Sequence, residues 1–96
     1  MPMMKTFSLA LALSLLALPA SAACFADYKA KKDGPLRLHY GIVELDENRC
    51  SKEKTAPAVA ERIAVDGWQL LAVISVFDKD GLEQRKTSAG DYFLRY

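Results

Sequence analysis

The sequence holds few of the groups that chemistry needs. It has one histidine, His39, and two cysteines, Cys24 and Cys50. There is no Cys-x-x-Cys pair, which argues against a thioredoxin-like redox role. One histidine and two cysteines do not make a conventional zinc site at any obvious spacing. None of Ser21, Ser51, Ser75 and Ser88 stands in a Gly-x-Ser-x-Gly elbow, and no Ser-His-Asp spacing is identifiable. Asp78, Asp80 and Glu83 gather around Gly81, but a calcium loop needs more oxygen ligands over a longer stretch. No catalytic residue, metal or cofactor is therefore expected, and His39 reads as a half-exposed strand residue.

Charge of one sign is missing too. The chain carries 13 basic and 12 acidic side chains. Lys5 is the only charge within residues 1–22, so the remainder is neutral. A neutral chain offers no global attraction to DNA, RNA or anionic lipid. The small basic groups, Lys29, Lys31 and Lys32 beside Tyr28 and the pair Arg85 and Lys86, read as solvated faces or edge gatekeepers.

The N-terminus is organised for export rather than for folding. Residues 1–5 are a short basic region. Residues 7–18 are apolar but too short to span a bilayer comfortably. Pro19 breaks any helix, and Ala20-Ser21-Ala22 is a small-x-small cleavage site before Ala23. The sequence thus predicts a cleaved signal peptide over 1–22 and one small domain over 23–96, periplasmic or secreted from a bacterium. No membrane-spanning segment is expected after cleavage. An even cysteine count in an oxidising compartment predicts a Cys24–Cys50 disulfide. Closing a loop of about 25 residues would restrict the unfolded chain by about 3.5 kcal/mol. The alternative use of Cys24 is as a lipoprotein anchor. Small residues precede it, although Ser21 stands where a lipobox carries an aliphatic residue.

The domain reads as alternating strands around one helix. Residues 25–31 predict a short strand, and Asp33-Gly34-Pro35 a tight turn. Residues 36–45 predict a second strand, with Leu36, Leu38, Tyr40 and Ile42 on one face. A helix is predicted from Thr55 as its cap, with Pro57 in the first turn. Its stripe is Ala56, Val59, Ala60, Ile63 and Ala64, and Gly67 is its stop. Residues 67–77 form the longest apolar run outside the N-terminus and predict a buried central strand. Trp68, Leu70, Ala72, Ile74 and Val76 point one way; Gln69, Leu71, Val73, Ser75 and Phe77 point the other. Asp78-Lys79-Asp80-Gly81 predicts a hairpin turn, residues 82–88 a polar edge strand, and residues 92–96 a last strand. The fold class is α+β: a mostly antiparallel sheet of four to five strands with one helix on one face, in the order ββαβββ.

The helix that ends in Gly67-Trp68-Gln69-Leu70 and enters an apolar strand resembles a small bacterial domain family of unassigned function with a helix–Gly-Trp-Glu/Gln-Leu–strand core. The match covers residues 59–96. The front half, with Cys24, Tyr28, Lys29 and residues 36–40, is similar to a group of small secreted proteobacterial proteins. The resemblance implies a short α+β domain and brings no activity or site residues. This chain departs from the wider family in its export signal, its cysteines and its polar segment at 82–88.

Two functions follow as expectations. A strand apolar on both faces needs cover on both, and one helix covers one. The first expectation is therefore a non-enzymatic envelope module, a homodimer or the partner of an envelope protein, that associates through the free face at Leu71, Val73 and Phe77. The second is a small-molecule binder or enzyme with a pocket between helix and sheet, using His39, Tyr40 or Trp68.

Overall fold

A computed structural model describes residues 23–96. The expected signal segment, with Ala20 and Ala22, lies outside the described residues, and Ala23 is exposed at their start. Three strands and two helices make up an α+β domain. The strands are β1 (Cys24–Lys32), β2 (Arg37–Leu45) and β3 (Gln69–Phe77); the helices are α1 (Lys52–Ile63) and α2 (Glu83–Ala89). The sheet is antiparallel in the order β2-β1-β3. Among the described residues it has three strands, not four or five.

The hairpin forms as its residues dictate. Gly34 takes the positive φ of 78° that the turn requires, and β1 then pairs with β2 from Cys24↔Leu45 to Lys32↔Arg37. The centre of the sheet is β1, however, not the long apolar run. Ala26, Tyr28 and Ala30 are fully buried, whereas Leu71 and Ile74 of β3 are 52% and 47% exposed. The apolar run is an edge strand. On this central strand the small Ala26 and Ala30 flank Tyr28, the largest of the fully buried side chains. Tyr28 lies flat over Gly41 of β2, where any Cβ would collide with its ring and hydroxyl.

One face of the sheet carries Cys24, Ala26, Tyr28 and Ala30 of β1 and Val43 and Leu45 of β2. They pack against Ala58, Val59 and Ile63 of α1 and against Trp68. The helix begins a full turn earlier than predicted, with Ser51 at its N-cap. Thr55 is not the cap. It is buried inside the first turns, where its hydroxyl donates to the carbonyls of Arg49 at 2.7 Å and Ser51 at 2.9 Å. Pro57 therefore stands inside the helix and offers no N–H to the carbonyl of Glu53. The stripe shifts accordingly: Thr55, Ala58, Val59 and Ile63 are buried, while Ala64 is exposed. Gly67 closes the helical segment in the left-handed region at φ 83°, as expected.

The C-terminal third departs furthest from the strand reading. Asp78-Lys79-Asp80-Gly81 does not make the expected hairpin turn, and Gly81 has no positive φ. Asp78 instead accepts a hydrogen bond from the Asp80 N–H at 3.0 Å and opens a 3-10 turn, Lys79–Gly81, that runs into α2. Glu83, Gln84, Arg85 and Lys86 are all good helix formers. Their polarity fits a helix lying on a sheet as well as it fits an edge strand. Residues 92–96 do not form a strand either. They make one parallel bridge, Ile42↔Phe93, backed by the Leu94 N–H to Ile42 carbonyl bond at 2.9 Å.

Candidate interaction surface

The second face of the sheet falls into four rows across β2, β1 and β3. In sequence they are Glu44–Phe25–Phe77, Ile42–Asp27–Ser75, Tyr40–Lys29–Ala72 and Leu38–Lys31–Gln69. The first two lie beneath α2, where Phe25, Ile42 and Ala89 form a small buried cluster with Phe77, Leu82 and Phe93 around them. The sheet face expected to be free is thus half covered by a helix of the chain itself.

Asp27 holds that helix down. It is only 4% exposed, on the central strand. Its Oδ1 accepts from the Ser75 hydroxyl at 2.7 Å, and its Oδ2 from the Tyr40 hydroxyl at 2.7 Å and Arg85 Nε at 3.2 Å. Those donors come from β3, β2 and α2, so one carboxylate ties every layer of this side together. Arg85 also donates to the Gly81 carbonyl at 2.7 Å and lies over the Phe77 ring. Burial alone would raise the Asp27 pKa. The hydrogen bonds from Ser75, Tyr40 and Arg85, with the guanidinium charge, outweigh burial and hold the carboxyl below its ordinary value. Burial and the bond to Asp27 push the Tyr40 phenol up to about 12.

The other two rows are open. An exposed groove of about 320 Å³ is lined by Lys29, Ala30, Leu38, His39, Tyr40 and Leu71. Leu38 is 65% exposed on its rim. Beside it runs the outer edge of β3. Among the described residues no backbone or side-chain hydrogen bond reaches that edge, and none of its nine residues is charged.

The residues predicted to form one surface are separated. Register shifts between Asp27 and Tyr28 and between Lys29 and Ala30 mark two β-bulges in β3, since Tyr28 pairs with Val73 and Ala30 with Leu70. Core positions on β3 therefore fall at Leu70, Val73 and Val76, three residues apart instead of two. Val73 packs toward α1, Phe77 packs under α2 at 6.1 Å from Phe25, and Leu71 is left at the surface. Ile74, assigned to the opposite face by strict alternation, is exposed as well. No sequence signal reports such bulges, because they contain no glycine.

The side chains of His39, Tyr40 and Trp68 fall on different faces, although His39 and Tyr40, adjacent in β2, both line the groove, and Trp68 does not. Tyr40 belongs to the face under α2. His39 and Trp68 belong to the α1 side, in an aromatic cluster. The His39 ring stacks on Tyr92 at 3.6 Å and meets the Trp68 ring edge-on at 4.2 Å. Its Nε2 is 2.9 Å from the Tyr28 hydroxyl, and its buried Nδ1 has no partner among the described residues. Lys32 lies 4.6 Å from the Trp68 ring centroid, and the Tyr96 hydroxyl donates to Asp66 at 2.7 Å. The cluster thereby pins the C-terminus to β2. Burial, then the charges of Arg95 and Lys32, lower the His39 pKa to about 4.

That shift predicts a pH effect. A histidine whose folded pKa lies below its unfolded value of about 6.5 adds stability in full above that pH and loses it as pH falls toward about 4. NMR titration should place the ring midpoint near 4, and the unfolding free energy should fall on acidification from neutral pH, less steeply in His39→Gln. A ring midpoint near 6.5 would refute the desolvated placement.

Cys24 and Cys50 form the predicted disulfide, spanning 26 residues and tying the start of β1 to the start of α1. The Cys24 sulfur so used cannot also carry a thioether-linked lipid. Among the described residues no helix is long and apolar enough to cross a membrane, and no group of His, Cys, Asp and Glu side chains is placed to hold a metal ion. No family model matches the chain, and no curated protein or solved structure does.

Proposed function

We propose that the protein is an exported, non-enzymatic binding module that works through the open side of its sheet, comprising the β3 edge and the groove between Leu38 and Leu71. The observation that carries this reading is the outer edge of β3: nine residues without charge, with Leu71 and Ile74 projecting into solvent. A long, apolar, unpaired edge templates strand pairing, and soluble proteins ordinarily blunt it with charge or cover it. The β2 edge shows both devices, with Arg37 and Glu44 along it and the C-terminal segment bonded at Ile42. The β3 edge carries no charge and no bonded segment; its only such device is the pair of bulges at Leu71 and Ile74.

The side chains best suited to chemistry are engaged elsewhere, which supports binding over catalysis. The Ser75 and Tyr40 hydroxyls are committed to Asp27, and His39 is packed among aromatic rings. A photo-crosslinking residue at Leu71 tests the reading in cells that export the protein, with Glu61 on the outer face of α1 as control. The Leu71 position should give a discrete adduct and Glu61 none. Equal labelling at both, or at neither, would contradict it.

A further inference from the structure

Resting on that reading, we propose that the occupant of the β3 edge is a second copy of the chain, paired antiparallel with the first to make a continuous six-stranded sheet. The two-fold axis stands perpendicular to the sheet at Val73. Gln69 then lies opposite Phe77, Leu71 opposite Ser75 and Ala72 opposite Ile74, so no charged side chain of β3 meets its own copy. A sequence so free of charge tolerates self-pairing without like-charge repulsion.

Charge outside the strand favours the same partner. The N-terminal end of β3 lies beside the basic stretch of β1, with Lys29 and Lys31 in the two open rows. Its C-terminal end leads directly into Asp78, Lys79, Asp80 and Glu83, all exposed, three acidic side chains against one basic. Antiparallel pairing sets the acidic end of each copy beside the basic end of the other, twice per dimer. An axis perpendicular to the sheet keeps both α2 helices on one side. Each α2 then stands diagonally across from its partner's, next to the open rows that the other copy leaves bare. Assembly stops at two, because the β2 edge is charged and bonded to its own C-terminal segment.

The test is the mass of the purified, oxidised protein by light scattering over a dilution series. The chain should sediment and scatter as a dimer. Leu71→Lys with Ile74→Lys, both at exposed positions, should give a monomer with an unchanged circular dichroism spectrum. Lys31→Glu should weaken dimerisation about tenfold, since each contact occurs twice, and adding Asp80→Lys should restore it. Lys31 also pairs with Asp33 at 3.4 Å, so Asp33→Asn serves as the control that leaves the dimer intact. A chain that stays monomeric at millimolar concentration would overturn the dimer, as would failure of the charge exchange to restore it. If the Leu71 crosslink nonetheless yields an adduct of some other mass, the binding-module reading survives with a different partner. If no adduct forms, both fall.

Discussion

Replacing Asp27 with alanine should destabilise the domain by about 2–4 kcal/mol, read as a drop in the urea midpoint at neutral pH. Removing one member of a buried, hydrogen-bonded charge pair strands the other members. The usual cost is about 3–5 kcal/mol, and the lower figure here allows for the water that reaches Arg85. The Ser75 and Tyr40 hydroxyls lose their acceptor as well. Asp27→Asn keeps an acceptor but not the charge, and should fall between alanine and the parent. The loss should be local before it is global: α2 should exchange its amide hydrogens faster while α1 keeps its protection. Acid should mimic the substitution. A carboxyl held below its ordinary pKa lends stability above about pH 4 and loses it as pH falls through the folded value. Asp27→Asn should flatten that part of the pH profile. An alanine variant as stable as the parent would mean that α2 is held by its apolar contacts alone.

The disulfide gives the second large effect. Cys24→Ser should lower stability by about 2–5 kcal/mol under oxidising conditions. The bond joins the first residue of the central strand to the lead-in of α1 across 26 residues, in a domain with a small core. Addition of reductant should remove most of the difference between variant and parent. Equal stability of the two proteins under oxidising conditions would show that the bridge does not form in solution.

The hairpin, the main helix and its glycine stop, and the cysteine pairing were legible in the sequence because each is a local signal. Gly34, Gly67 and the alternation from Arg37 to Leu45 act within a few residues. The placement of the strands was not legible. The apolar run at Gln69–Phe77 suggested a centre, but burial depends on what packs where, and Ala26, Tyr28 and Ala30 outrank it because they lie on the middle strand, in the cluster that packs against α1. The helix at Glu83–Ala89 was missed because polar residues suit an edge strand and a surface helix alike. Nothing in the sequence marks its anchor, Asp27, apart from the other residues of the strand predicted over 25–31. Only the third dimension brings Tyr40, Ser75 and Arg85 to it, from 13, 48 and 58 residues away. The separation of Leu71, Val73 and Phe77 follows from two bulges, each of which shifts the alternation by one residue.

In this fold β1 is the interior strand and β3 an open edge. Native-state amide hydrogen exchange tests this arrangement most directly, measured on the Leu71→Lys/Ile74→Lys variant so that the edge is free of any second copy. The slowest exchange should fall at residues 25–31, where strands pair on both sides, with fast, outward-directed amides interspersed among slow ones along residues 69–77. Uniform protection of residues 69–77, with faster exchange in residues 25–31, would put the apolar run back at the centre of the sheet and contradict the account.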